Sequence, residues 1–327
     1  MRPVCAALAA ALISFSTLLP SRSASALDYP NRNVRVVIPF TAGGAPDVLM
    51  RLVGQVLQEK WGQGVVIENR AGGNTMVGTV AVTKSAPDGY TLLLAADQTF
   101  VLNPLLYATL PYSMKELDTV AMMATIPHML AVANKVPVSN VKELIALAKA
   151  KPDTITFGTT GAGTIQRIAT EFFAGIAGIK LVHVPYKGAN ETMMGILQGE
   201  IDMTINGMSN ILPHIGEGKL KALAVSTVTR NPLAPNVPTM QEAGVSPADV
   251  ELRFWFAVFG PKGMPDAVKT KLYQALAKVM NSPATRERLA KLDITSDVID
   301  GPAMHTKLTN EIKNWTRFID AKGIKAE

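Results

Sequence analysis

One pattern occurs twice in this chain and limits its fold more than any other: an apolar run of strand length, a loop of small residues, then a segment of helical period. Residues 34–40 run into Thr41-Ala42-Gly43-Gly44-Ala45-Pro46 and on to a helix with Val48, Leu49, Leu52, Val53, Val56 and Leu57 along one face. Residues 154–158 run into Thr159-Thr160-Gly161-Ala162-Gly163-Thr164 and a helix over 165–177. Strands that alternate with helices in this way build largely parallel sheets with helices on their faces. Two copies of the unit predict two similar lobes.

Further apolar runs at 65–68, 91–95, 120–123, 128–133, 181–184, 201–205, 220–226 and 254–260 read as strands with helices between them. Asn140, three residues before Glu143, predicts a capped helix start. A proline-rich stretch, 231–238, reads as a connector, and 97–99 as a loop after a strand. The segments 266–280, 284–292 and 302–321 read as closing helices, with Phe254, Trp255 and Phe256 packed in the core. The runs at 120–123 and 128–133 are close enough to carry the chain from one sheet to another. These readings assign lobe one to 28–126 plus 228–327 and lobe two to 127–227.

In an open parallel sheet, ligands bind outside the carboxyl ends of the strands, where loops enter helices. Both glycine loops belong there. Each offers unpaired backbone N–H groups and the positive end of a helix dipole, an arrangement that holds an anion without a charged side chain. The hydroxyls of Thr41, Thr159, Thr160 and Thr164 are candidate donors to the same anion or to a bridging water. No lysine follows Gly44 or Gly163 as a phosphate loop requires, and Gln166 stands where a dinucleotide loop has its third glycine. A carboxylate fits better than a nucleotide phosphate. Asp47 either orients the first loop or a water, or caps the helix that it opens. Tyr186 and Gln98 stand at other strand ends that open on the same cleft, and Lys187 reads as a solvated charge.

The amino terminus is a leader by its order: Arg2, an apolar stretch from Val4 to Leu19, then Ala24-Ser25-Ala26. About 16 apolar residues fall short of the roughly 20 that a spanning helix needs, so cleavage after Ala26 is expected. Cys5, the single cysteine, leaves with that leader, and the fold must rest on its core alone. Loss of Arg2 and Arg22 takes the formal charge from +6 to +6 − 2 = +4, spread among acids with no basic block of the kind that binds nucleic acid. His128, His183, His214 and His305 are too scattered for metal spacing, and no G-x-S-x-G elbow appears. No cofactor is expected.

Several ordered stretches carry a resemblance: Val37-Ile38-Pro39-Phe40-Thr41-Ala42-Gly43-Gly44 with Asp47, Val66-Ile67-Glu68-Asn69-Arg70, and Pro87-Asp88-Gly89-Tyr90-Thr91-Leu92. They continue with His183-Val184-Pro185-Tyr186-Lys187-Gly188, Leu212-Pro213-His214-Ile215, Leu223-Ala224-Val225-Ser226, and Val237-Pro238-Thr239 with Glu242-Ala243-Gly244. Over nearly all of its length after the leader, the chain resembles the substrate-binding proteins of tripartite tricarboxylate transporters, the Bug receptors. The resemblance implies a two-lobed α/β fold of the type II periplasmic-binding-protein class, closing about a hinge on a small carboxylate held by loop backbone and water. It implies a periplasmic, non-enzymatic, monomeric protein that hands its ligand to integral membrane transporter components.

Phe40, Thr41, Ala42, Gly43, Gly44, Asp47, Gln98, Thr159, Thr160, Gly163, Thr164, Tyr186 and Asn206 form the candidate ligand-binding set. Three departures from the family pattern stand out. Pro46 replaces a hydroxyl residue, the loop after Arg70 is short, and Asn206 takes the position of an acidic residue. A neutral amide there favours a dicarboxylate or aromatic acid over an amino acid, whose ammonium would want the carboxylate. An exported α/β enzyme acting on a small acid, or a ligand sensor for a signalling partner, would use the same cleft.

Overall fold

The computed structural model describes residues 28–161, 163–227, 229–245 and 254–322, so the expected leader and Ala162 lie outside the described residues. The strands form two sheets. The first holds six in the order β11-β4-β10-β3-β1-β2 and the second five in the order β7-β6-β8-β5-β9. In the first, β1 (Val34–Ile38) lies between and parallel to β2 (Val65–Asn69) and β3 (Thr91–Ala96). Antiparallel to these, β10 (Phe254–Pro261) joins β3 to β4 (Leu117–Ile126), which carries β11 (Thr295–Asp300) at the edge. The second sheet repeats the plan: β6 (Thr156–Thr159) lies between and parallel to β7 (Val182–Pro185) and β8 (Met203–Gly207). Antiparallel β5 (His128–Ala133) then joins β8 to β9 (Leu220–Val225).

Burial follows position. The central strand β10 is buried at all eight residues, including the expected core residues Phe254, Trp255 and Phe256, whereas the edge strand β2 is half-exposed. Against the first sheet, α1 (Ala45–Trp61) buries Leu49, Met50, Val53 and Leu57. Each such side chain contributes about 1.5–3 kcal/mol. Gly62, at a φ of 65°, ends the helix in the left-handed conformation that glycine adopts without penalty. Asn140 caps α4 (Val141–Ala150) as the spacing predicts, its side chain accepting from the Glu143 N–H at 2.9 Å.

Two elements depart from expectation. The segment read as a loop at 97–99 is the start of a wide helical turn, Gln98–Leu102, buried throughout, followed by α3 (Asn103–Leu106), which buries Asn103 and Leu106. The strand β11 lies between two of the expected closing helices, in a stretch to which the sequence reading assigns no element. Its Thr-Ser-Asp-Val-Ile-Asp sequence carries little apolar signal and gains its pairing from β4.

A single residue, Pro127, separates β4 in one sheet from β5 in the other. Ser226, just after β9, pairs with the first residue of β5. The His128 N–H donates to Ser226 Oγ at 2.7 Å, the Ser226 N–H donates to the His128 carbonyl at 2.8 Å, and the His128 ring stacks on Phe254 with centroids 4.3 Å apart.

Candidate ligand-binding site

Both glycine loops leave the carboxyl ends of parallel strands, and each enters a helix whose first N–H groups receive no side-chain cap from the N-cap residue. Their chemistry differs from there on. In the first loop Gly43 adopts a φ of 82°, which turns its N–H onto Asp47 Oδ2 at 2.9 Å. Arg51 Nε donates to the same oxygen at 2.9 Å, Arg51 Nη2 donates to Asn69 Oδ1 at 3.1 Å, and Asn69 Nδ2 closes the ring on the Phe40 carbonyl at 3.2 Å. Burial works to raise the Asp47 pKa, but the bonds from Arg51 and Gly43 outweigh it and hold the carboxyl below its ordinary value. Thus Asp47 belongs to loop shaping as well as to the helix start, and the Gly43 N–H expected for an anion is already taken. The other oxygen, Asp47 Oδ1, is buried with no hydrogen-bond partner among the described residues. Pro46 removes a further N–H from this helix start.

The second loop, between β6 and α5 (Ile165–Ala177), is shaped by neutral groups. Thr159 Oγ1 lies 2.7 Å from His183 Nε2 and 3.1 Å from the Gly161 carbonyl, to which Thr164 Oγ1 also donates at 2.8 Å. Thr160 Oγ1 donates to Gln166 Oε1 at 3.1 Å. The three hydroxyls expected to serve a ligand therefore hold the loop's own turn. Burial, aided by the charge of Arg167, depresses His183 to about 4, so its ring is neutral near pH 7. In this loop it is the start of α5, with Thr164 as N-cap, that carries the helix dipole without a nearby carboxylate of its own.

Tyr186 is turned toward α6 (Ala189–Gln198): Oη donates to Glu200 Oε2 at 3.1 Å, and a Cβ at Gly195 would lie 2.2 Å from it. A glycine on α6 thus takes in the ring that strand-end position alone assigns to the cleft. Asn206, at the end of β8, is 2% exposed. Its Oδ1 accepts from the Gly207 N–H at 2.7 Å and from Asn210 Nδ2 at 3.4 Å, while Nδ2 is buried with no hydrogen-bond partner among the described residues. It pairs with Met129 on β5, beside the Pro127 crossing.

The reading of the sequence missed Asn74. In the loop after β2, it donates Nδ2 to the Gly163 carbonyl in the second loop at 3.0 Å and accepts from Gln98 Nε2 through Oδ1. The available signal was Gly72-Gly73-Asn74, a third glycine loop leaving the carboxyl end of the same sheet. By contrast, the space under α1 bounded by Val34, Met50, Leu57, Val65, Leu92 and Leu272 is lined by hydrocarbon and lies in the core. Among the described residues no cluster of histidine and acidic groups suits a metal ion.

Residues 49–324 match the family described as the tripartite tricarboxylate transporter family receptor. The chain belongs to this family. It is 32% identical over 303 residues to the protein BugT of Bordetella pertussis, a match that covers 92% of each. Among solved structures, R. palustris Rpa4515 with adipate superposes with a TM-score of 0.85 at 31% identity, covering 91% of this chain and 99% of that one. MatC from Rhodopseudomonas palustris with bound malate superposes with a TM-score of 0.79 at 25% identity, covering 88% and 99%. The two helix-flanked sheets are thus those of a periplasmic-binding-protein fold, and the protein is a solute-binding receptor of the tripartite tricarboxylate type.

Proposed function

We propose that this receptor closes two lobes, 28–126 with 228–327 and 127–227, on a small organic acid that lacks an amine. The observation that carries the reading is Asn206 Nδ2, a buried donor with no hydrogen-bond partner among the described residues. The Gly207 N–H fixes the amide with Oδ1 inward, so Nδ2 is the atom left to bond, and leaving such a donor unmet costs about 1–3 kcal/mol. An incoming carboxylate removes that cost, and the dipole at the start of α5 favours a second one. An ammonium finds a donor at Asn206 where it needs an acceptor, and the Asp47 charge is already offset by Arg51. Adipate and malate, held by the two solved relatives, are both dicarboxylates without an amine, which supports this choice. The remaining contacts fall to the backbone of Phe40, Thr41, Ala42, Gly44, Thr160 and Gly163, to Gln98, and to water.

The receptor reading extends to its setting. The leader ending at Ala26 delivers the mature protein to the periplasm, where the closed form is the one that integral membrane components recognise, and the acid is released unchanged. Calorimetry with adipate, malate, an aromatic acid and their α-amino counterparts tests the ligand class. Tighter binding of the amino acids overturns it, and consumption of any acid by the purified protein replaces the receptor with an enzyme.

A further inference from the structure

Three side-chain amides meet where the two sheets approach, and their orientations follow from hydrogen-bond bookkeeping alone. Tyr112 Oη gives its one proton to the Thr99 carbonyl at 2.5 Å, so toward Asn103 it can only accept. Asn103 Nδ2 therefore donates to Tyr112 Oη at 3.1 Å and to the Asn74 carbonyl at 2.8 Å, which leaves Asn103 Oδ1 as an acceptor. That acceptor faces Asn74 Nδ2 at 2.6 Å, whose other bond goes to the Gly163 carbonyl at 3.0 Å. A backbone carbonyl accepts only, so both ends of the chain demand the same orientation. Asn74 Oδ1 must then accept from Gln98 Nε2, leaving Gln98 its second Nε2 proton and Oε1 for other partners.

Every member of this chain but one lies on the segments of the first sheet, between β2 and β4. The exception is the Gly163 carbonyl, in the loop between β6 and α5. Room for the contact is specific: a Cβ at Gly163 would lie 2.5 Å from Asn74 Nδ2 and 3.0 Å from Tyr107 Oη. Asn74 holds a φ of 50°, a conformation that asparagine tolerates better than most residues with a Cβ.

We propose that Asn74 is a positioning residue that latches the cleft: one amide bonds the opposite lobe and, in the same orientation, fixes Gln98 with its acceptor uncommitted. The inference rests on the reading that ligand is held between the lobes, and it assigns Asn74 no contact with ligand. Opening the cleft breaks the Gly163 bond but leaves the Asn103 and Gln98 bonds in place, so the latch is preset in the open form and adds to closure without reordering. Asn74→Asp keeps the size and can still accept from Gln98, yet cannot donate to Gly163 or Asn103; Asn74→Gly removes the amide and suits the positive φ.

The test uses the chain from Leu27 onward, which holds no cysteine, with spin labels on cysteines introduced at the exposed Lys60 of α1 and Lys149 of α4. Distance distributions without added acid are expected to shift toward the open, longer population in both variants, with melting temperatures of the unliganded proteins close to wild type. With whichever of adipate or malate the wild type binds, release is expected to quicken about tenfold, the scale of one hydrogen bond of about 1.4 kcal/mol, with association within about twofold. Wild-type distance distributions in both variants overturn the latch. Should neither acid bind the wild type, the ligand reading fails for these acids while the label distances still decide the latch.

Discussion

The loop at 39–44 and the loop at 159–164 start from the same sequence logic and end with opposite electrostatics. The first has brought in its own anion: Asp47 occupies the Gly43 N–H and carries Arg51. The second is bent by three threonine hydroxyls and a neutral histidine, brings no carboxylate, and makes the contact across to Asn74. A glycine loop at a helix start is therefore not in itself an anion site. What decides is whether a nearby carboxylate has already claimed the dipole and the amides. On this comparison the second loop is expected to carry more of the binding and closure than the first.

Substituting one glycine in each loop separates the two roles and gives the largest expected effect. Gly163→Val drives a side chain into the Asn74 amide and Tyr107, and should cut affinity about a hundredfold, near the upper end of the about 1–3 kcal/mol typical of overpacking. The unliganded melting temperature should hardly move if, as proposed, opening of the cleft relieves the clash. Gly43→Val meets nothing within 4 Å but forces a β-branched residue to a φ of 82°, which costs about 1–2 kcal/mol of stability with little loss of affinity. Parallel calorimetry and thermal melts check the pair. Greater affinity loss at Gly43 than at Gly163 breaks the comparison.

Next in size is the Asn206 amide. Asn206→Asp places a charge where a donor is wanted and should weaken binding of an amine-free acid by about 1–3 kcal/mol. The same substitution should narrow the gap between an acid and its α-amino counterpart. If calorimetry shows equal affinities for wild type and variant, Asn206 faces no ligand oxygen.

How far the sequence carries these arguments depends on range. The repeated unit was legible because strand length, glycine and helical period are local signals, and Asn140 with Glu143 was legible as a cap for the same reason. The position of β11 was not, since its pairing with β4 joins residues far apart in sequence. Nor was the aim of Tyr186, which depends on Gly195 leaving room on a later helix. Among site residues, Asn206 stood out as a departure from a family pattern, yet Asn74 did not, although it too follows a strand of the first sheet. Its partners Gln98, Asn103 and Gly163 are 24 to 89 residues away, and only the packed structure brings their amides into one chain.

Loop one should give way to acid only at low pH. The Asp47 pKa is depressed in the folded state, so its contribution is complete above the ordinary value of about 4 and is lost as pH falls through the folded value. Asp47→Asn is expected to lower stability near pH 7 by about 1 kcal/mol, the scale of one hydrogen bond. That difference should shrink below about pH 4. Urea titrations of both proteins across this range measure it, and a difference that does not change with pH removes Asp47 from the loop's electrostatics.

Loop two supplies the smallest effect and the opposite end of the acid range. Folded His183 resists protonation down to about 4, against an ordinary value of 6.5. Below 6.5 the unfolded chain takes up a proton that the folded chain refuses, so stability present at neutral pH is lost progressively as pH falls toward 4. The cause is local: a charged ring would lose water in its half-buried position and would sit beside the charge of Arg167. His183→Gln lacks this linkage. Wild type should therefore lose stability relative to His183→Gln between pH 7 and pH 5, a change read from chemical denaturation at the two values. His128, held to about 3 by burial, has the same sign but is common to both proteins and cancels in the difference. An identical difference at pH 7 and pH 5 shows that His183 titrates alike in both states. Loop two would then owe its shape to the threonines alone.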